Sequence, residues 1–303
     1  MALYELKPGK AEDLHASRPE GAAPSLNGGL LAVEYQTRIE FRNSKNEIIH
    51  RYGLPATVGL SHYFRYFLFD FWDIHPEQIK YRFLLTTLFV LRKIASHRSV
   101  ASVLEIGGTV GENYALLRQL LKAEPYDLTL RFAVVDNDAN AVAIGEQIFY
   151  NNPNCHFMHG NASKLDNMAE NCVDIVTSNG VHNILEDPLP AISDSLRIAR
   201  VAVNLHLLVG GDEPVIYRAA GSNMTYRTPS LDQVRDAARG PTPVYMYRLN
   251  QLWANRLTAG DDVHSDGKYL DRENVSKVHW ETIILSHVPI FPESNTLVEI
   301  LNV

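Results

Sequence analysis

The chain has 303 residues, of which 46% are hydrophobic and 21% are charged, and its formal net charge is −7. This composition is ordinary for a globular protein and suffices for one large domain with an appendage or for two modest domains. An acidic chain without a basic cluster argues against nucleic acid as the main partner. The two cysteines, Cys155 and Cys172, form no C-x-x-C pair, so no zinc or other metal site is expected.

Two further features bear on where the protein works. The first ten residues lack the apolar core of a signal peptide. The longest strongly apolar stretch, residues 83–91, is about half the length of a membrane span. We therefore expect a cytoplasmic protein that does not interact with membranes.

Residues 1–98 are expected to form an N-terminal helical or lid region. Residues 1–30 are rich in Gly, Pro, Ala and charge, which is typical of a loose or lid-like terminus. Residues 32–41 alternate like a strand, although Arg38 and Glu40 fit the solvated face of a helix equally well. Pro76 suits the first turn of a helix, and spacing near 3.6 predicts that this helix runs over residues 77–97.

From residue 100 onward, predicted strands and helices alternate. Such alternation indicates an α/β domain, here residues 99–303, with a mostly parallel, Rossmann-like sheet and helices on both faces. Predicted strands cover residues 102–106, 130–136, 155–159, 174–178 and 202–208. Further short strands are expected at 215–218 and 243–248, and a strand pair at 279–285 and 296–301 closes the chain.

The run VLEIGGTVG at residues 103–111 predicts a buried strand that turns through glycines into a helix. Glycines at such a turn let a ligand lie against bare backbone, which points to a nucleotide-like ligand. Asp136 ends the next predicted strand, where a carboxylate can accept hydrogen bonds from both ribose hydroxyls. Asp136 could alternatively cap the following helix.

Two later clusters follow predicted strands. In the first, Asn161 could read an adenine edge with its amide or simply form an Asx turn. In the second, residues 174–188, a buried strand runs into polar residues at its carboxyl end, where open parallel sheets bind ligands.

These segments resemble class I S-adenosylmethionine-dependent methyltransferases. The matching pieces are VLEIGGTVG, FAVVDND, FMHGNA and VDIVTSNGVHNILEDP, in family order and at family spacing between about residues 100 and 210. The resemblance implies a seven-stranded sheet with a reversed last strand, and S-adenosylmethionine as the cofactor. It implies the methionine moiety near Glu105 and Gly107, ribose on Asp136, and adenine near Asn161 and Ala162. The full set of expected cofactor-binding residues is Glu105, Gly107, Gly108, Thr109, Gly111, Asp136, Asn137, Asn161, Ala162, Asn179 and Gly180.

The chain departs from the family pattern at two positions. Thr109 stands where a glycine is usual, which puts a Cβ near the cofactor, and Asn161 stands where Asp is frequent. A Rossmann dehydrogenase is disfavoured because the turn lacks G-x-G-x-x-G and because Glu105 would repel a pyrophosphate. An acidic residue near the end of the strand suits the positively charged sulfonium of S-adenosylmethionine better than it suits a pyrophosphate.

The expected activity is methyl transfer to a small molecule, for which Asn179, His182 and Tyr66 are the catalytic candidates. His182 lies near the mouth of the fourth strand and could instead be a packed histidine; His206, His264 and His279 are weaker candidates. Tyr66 belongs to an aromatic block at residues 63–72 that is interpreted either as core or interface, including a homodimer interface, or as a lid over the sulfonium.

Two alternatives remain open at this point. A cyclase of the azetidine-2-carboxylate synthase type would use S-adenosylmethionine itself as its substrate and release methylthioadenosine. A non-catalytic binding module with a degenerate cofactor turn would bind without turnover, and Thr109 supports it.

Overall fold

The structure of the protein is a computed structural model that describes residues 22–26, 30–35, 38–42, 48–53, 79–122, 124–218, 225–240, 244–249, 278–291 and 298–301. The aromatic block at residues 63–72, with the catalytic candidate Tyr66, lies outside the described residues, as does His264. Within the described part, no helix is both long and apolar enough to cross a membrane.

The N-terminal part contains a four-stranded antiparallel sheet. Its strands, paired in chain order, are β1 (Ala22–Leu26), β2 (Leu30–Tyr35), β3 (Arg38–Arg42) and β4 (Ile48–Gly53). The prediction of a helical region is therefore wrong for the residues of these four strands. Charged residues alternate with Ile39 and Phe41 at a period of two, which is the period of a strand.

The described helix of this region is α1 (Ile79–Ala95), two residues shorter at each end than expected. It packs on the main sheet of the protein, where the buried side chain of Asn204 forms hydrogen bonds with it. The Asn204 amide donates hydrogen bonds to the Phe83 carbonyl at 3.0 Å and to the Thr87 hydroxyl at 2.6 Å. The predicted domain boundary at residue 98 comes just after α1. The buried side chains of α1 belong to the same hydrophobic core as those of the sheet.

The main sheet has eight strands. They are β5 (Val100–Ile106), β6 (Thr129–Asp136), β7 (Cys155–His159), β8 (Val173–Asn179), β9 (Ala199–Gly210), β12 (Tyr245–Leu249), β13 (Val278–Ser286) and β14 (Val298–Leu301), in the spatial order β14-β12-β13-β9-β8-β5-β6-β7. The five strands from β5 to β9 are parallel to one another, and the remaining pairings, including that of β9 with β13, are antiparallel. A separate hairpin joins β10 (Val215–Arg218) to β11 (Thr225–Thr228).

The Rossmann-like, mostly parallel sheet is confirmed, with one strand more than the seven expected. The resemblance implied a reversed last strand. In the structure β13 runs antiparallel to β9, and β14, which follows β13 in the chain, runs antiparallel to β12. However, β13 and β14 do not pair with each other, because β12 lies between them. The predicted closing strand pair is therefore wrong.

Helices cover both faces of the sheet, as predicted. On one face, α1 packs together with α2 (Glu112–Lys122) and α3 (Ala139–Ile148). On the other face lie α4 (Pro188–Ile198) and α5 (Leu231–Ala238). Strand side chains alternate between the two faces, so residue parity along a strand decides which helices a side chain meets.

Candidate functional site

The turn between β5 and α2 needs left-handed backbone at three positions. These are Gly107 at φ +68°, Thr109 at φ 47° and Gly111 at φ +82°. Gly107 also meets the loop that follows β8, since a Cβ there would lie 2.1 Å from Cγ2 of Val181. Glycine is thus required at Gly107 both by conformation and by the close approach of a second loop.

Glu105, the next-to-last residue of β5, is buried beneath this turn. Its side chain is 1% exposed and accepts a hydrogen bond from the Asn113 amide of α2. A Cβ on Gly108 would lie 2.6 Å from a Glu105 carboxylate oxygen. Gly108 therefore makes room for Glu105, a role within the protein that the sequence pattern did not reveal.

Asp136 organises the same turn from the neighbouring strand. Its Oδ2 accepts a hydrogen bond from the Thr109 N–H at 3.0 Å, and its Oδ1 accepts one from the Asp138 N–H at 2.9 Å. Burial raises the pKa of Asp136, although these two N–H groups oppose the effect. The carboxylate has acceptor positions beyond these two bonds, so it can also bind hydroxyl groups. Helix capping belongs to Asp138, which caps α3, and not to Asp136.

Thr109 combines strain with a useful contact. A non-glycine residue in left-handed backbone costs roughly 1–2 kcal/mol. The same conformation directs the Thr109 N–H toward Asp136. With threonine instead of glycine at position 109, the turn between β5 and α2 is still held by the hydrogen bond from the Thr109 N–H to the Asp136 carboxylate.

The expected cofactor-binding residues that follow β6 and β7 include Asn137, and also Asn161 and Ala162, which were expected near adenine. Asn137 is exposed, and its carbonyl oxygen lies 3.2 Å from Nε2 of His159. Asn161 is also exposed, and its Oδ1 accepts a hydrogen bond from the Ser163 N–H at 2.9 Å. Asn161 thus forms the Asx turn that was one of its two interpretations, while Ala162 beside it is half-buried.

Asn179 and Gly180 end β8 next to the glycine turn. Gly180 has φ +76°, and its N–H donates to the His206 carbonyl of β9 at 2.7 Å. Further along, the buried Asn183 amide donates to the carbonyls of Leu208 and Arg227. These bonds hold the loop after β8 against the neighbouring strands.

His182 does not lie with these residues. Its Nδ1 is 2.9 Å from the Ser178 hydroxyl, and Ser178 faces the side of the sheet opposite to Asn179. The imidazole is 1% exposed, and its burial lowers the pKa to about 4, partly opposed by the Ala191 backbone of α4. The structure therefore places His182 in the interior beside α4, and it does not support the predicted contact with substrate.

This burial predicts a pH dependence of stability. Because the His182 pKa is lowered from 6.5 to about 4, the unfolded chain binds this proton first as the pH falls. The free energy of unfolding should then drop by about 2 kcal/mol between pH 7 and pH 5 on account of His182. Urea denaturation should show that His182→Gln flattens this dependence, whereas His156→Gln, at an exposed position, should not. An equal slope in wild type and His182→Gln would contradict the assignment.

A row of polar side chains, of which the motifs singled out only Glu105 and Asn179, crosses the face that also carries Asp136. The strand registers align Glu105 with Thr177 and Asn204, and one layer further toward the carboxyl edge they align Asn179 with His206 and Thr282. The Thr177 hydroxyl is buried and has no hydrogen-bond partner within the described ranges. The period-two alternation within each strand could have indicated that these side chains share a face with other residues of their own strand. Their alignment across the sheet could not be read from the sequence, because it depends on pairing between strands that are distant in the chain.

No metal site is evident in the described part of the chain, where no group of three or more His, Cys, Asp or Glu side chains could hold an ion. The donors that converge at the strand edge are carboxylates, amides and backbone N–H groups. Such a set suits a ligand with hydroxyl and amino groups.

In comparisons with known proteins, the middle of the chain matches a family model. Residues 104–202, about a third of it, match the family model described as a methyltransferase domain. This confirms the predicted resemblance for that segment, which holds Glu105, Asp136 and Asn179. No curated protein matches the chain.

Solved structures with a similar fold include several methyltransferases. A geranyl diphosphate methyltransferase in complex with GPP and sinefungin is 11% identical, with a TM-score of 0.48 over 67% of this chain and 77% of that one. Geranyl diphosphate C-methyltransferase from Streptomyces coelicolor A3(2) is 9% identical, with a TM-score of 0.46 over 67% and 81%. The YcgJ protein from Bacillus subtilis is 16% identical, with a TM-score of 0.40 over 67% and 96%.

Proposed function

We propose that this protein, whose residues 104–202 match a methyltransferase domain, transfers a methyl group from S-adenosylmethionine to a small molecule. The observation that carries the proposal is the buried Asp136 carboxylate. It is fastened to the glycine turn by the Thr109 N–H and keeps acceptor positions for a ribose. This arrangement stands at the carboxyl edge of parallel strands, where such sheets bind ligands.

The charges around the turn support this ligand over a dinucleotide. Glu105 and Asp136 are both buried acidic residues at neighbouring strand ends. A pyrophosphate would be repelled there, whereas S-adenosylmethionine has no phosphate and carries a positive sulfonium. The net charge of −7 likewise favours a small-molecule acceptor over a nucleic acid.

When bound, S-adenosylmethionine supplies an electrophilic methyl group on sulfur. The contribution of the chain is to position this group and to exclude water, and positioning alone can provide several kcal/mol of rate acceleration. Asp136 would hold the ribose, Gly107 would let the tail cross bare backbone, and Asn179 with Gly180 would face the reacting end. A base is required only if the acceptor must lose a proton, and the interior position of His182 leaves that role to another group.

The first test is binding. Isothermal titration calorimetry with S-adenosylhomocysteine should give a saturable heat with wild-type protein, and Asp136→Ala should lose it. Absence of binding to wild-type protein would overturn the proposal.

The second test is the reaction. S-adenosylmethionine with an isotopically labelled methyl group is incubated with the protein, with and without a low-molecular-weight cell extract, and products are analysed by mass spectrometry. Labelled product and S-adenosylhomocysteine that appear only with extract support methyl transfer. Methylthioadenosine formed without extract would replace the proposal by intramolecular cyclisation, and binding without any turnover would replace it by a binding module.

A further inference from the structure

Trp280, far from the methyltransferase segment in sequence, reaches the end of β8. A Cβ on Gly180 would lie 3.4 Å from Cη2 of the Trp280 indole, which is ordinary van der Waals contact. Trp280 belongs to β13, and β9 separates β13 from β8. The indole therefore crosses above β9 to cover the glycine that stands at the reacting end of the proposed site.

The indole is held in this position by its neighbour His206. The two rings are parallel, with an angle of 5° and a centroid separation of 4.7 Å. His206 is itself buried, and its Nδ1 lies 2.9 Å from the Thr282 hydroxyl. Stacking on a buried ring that is itself held by a hydrogen bond to Thr282 leaves the indole little freedom to turn.

The spacing of the strands gives the separation between Asp136, the proposed ribose site, and Gly180, which the indole covers. Asp136 is on β6, the glycine turn follows β5 and Gly180 follows β8, and these three strands are consecutive in the sheet. Two strand spacings amount to roughly 10 Å. A ligand that starts at Asp136 and crosses Gly107 thus ends at Gly180. Among the described residues other than its chain neighbours, Trp280 supplies the atoms nearest to a Cβ placed on Gly180.

We propose that Trp280 contacts the sulfur end of the bound S-adenosyl ligand, and that His206 is the positioning residue that holds the indole there. The inference rests on the proposed function. Methylthioadenosine should touch Trp280 because it carries the sulfur, whereas adenosine should bind to Asp136 without reaching it. An aromatic wall beside the sulfur would also exclude water from the transferred methyl group.

The experiment is a titration of the protein with adenosine, methylthioadenosine and S-adenosylhomocysteine, followed by calorimetry and by tryptophan fluorescence. The chain has three tryptophans, Trp72, Trp253 and Trp280. We expect all three ligands to bind and only the two sulfur-containing ones to change the fluorescence. In Trp280→Phe this change should disappear while binding persists.

Affinity provides an independent measurement. Trp280→Leu should weaken methylthioadenosine binding by about 3- to 10-fold, the range expected for loss of one aromatic contact, and leave adenosine binding unchanged. His206→Gln should reduce the fluorescence response because the indole loses its support, a change that a general loss of stability would not produce. Tyr150→Ala, at an exposed aromatic position, is the matched control and should behave as wild type.

Two outcomes are distinguishable. If wild-type protein binds none of the three ligands, the proposed function itself fails. If they bind but Trp280→Phe keeps the full fluorescence response and Trp280→Leu keeps wild-type affinity for methylthioadenosine, only the assignment of Trp280 fails.

Discussion

Asp136→Ala is expected to weaken the binding of S-adenosylhomocysteine by about 100-fold or more. The wild-type carboxylate accepts the N–H groups of Thr109 and Asp138 and has acceptor positions left for two ribose hydroxyls. Hydrogen bonds to a charged group contribute roughly 1.5–3 kcal/mol each, and every 1.4 kcal/mol is about tenfold in affinity. Alanine also leaves the Thr109 N–H without its acceptor, so the turn loses support.

Calorimetry of a small series measures this effect. Asp136→Asn keeps one oxygen and should show an intermediate loss, on the order of 10-fold. Asp138→Ala is the matched control, because this neighbouring carboxylate caps α3. Removing the cap should cost about 1 kcal/mol of stability with little change in affinity. An Asp136→Ala affinity within a small factor of wild type would remove the ribose assignment.

The second large effect is expected from Gly107→Ala, which should lower the free energy of unfolding by about 3–4 kcal/mol. Part of the cost is conformational, since alanine at φ +68° is unfavourable by roughly 1–2 kcal/mol. The rest is steric, because the new methyl group would lie 2.1 Å from Cγ2 of Val181. Relief of such overpacking requires shifts that cost roughly 1–3 kcal/mol.

A double-mutant cycle separates the two parts. Val181→Ala should recover the steric part in the Gly107→Ala background but not the conformational part, giving a favourable coupling of about 1 kcal/mol or more. Gly211→Ala is the control, because a Cβ there meets nothing within 4 Å, and it should be nearly neutral in urea denaturation. Full additivity of Gly107→Ala and Val181→Ala would show that the two loops do not touch.

Local periodicity predicted much of the fold, because the spacing of apolar residues within a segment is sufficient to distinguish a strand from a helix. The strands β5 to β9 and the helices between them follow from apolar runs and their spacing. The partner of β14 could not be predicted in this way, since antiparallel pairing with β12 is a contact between distant segments. Residues 32–41 were ambiguous because they span parts of two short strands, β2 and β3, each of which is too short to separate a period of 2 from one of 3.6.

The site shows the same division. The position of Asp136 beside the glycine turn could be predicted, because its place at the end of an apolar strand is a local feature of the sequence. His182 could not be judged from sequence, because one position along the chain, from Ser178 to Asn179, decides which face of the sheet a side chain joins. The proximity of Trp280 to Gly180 could not be predicted, because the two residues are 100 positions apart and the strand pairing of the sheet brings them together.

The hydrogen bonds that join Asp136 to the glycine turn also bear on the kinetics of ligand capture. The Thr109 and Asp138 N–H groups already organise the carboxylate within the folded chain. Under the proposed function, a ribose that binds there would displace water without reordering the backbone, because the loop is already ordered in the folded chain. Association rates should therefore differ little among adenosine-containing ligands, and selectivity among them should reside in how slowly each one dissociates.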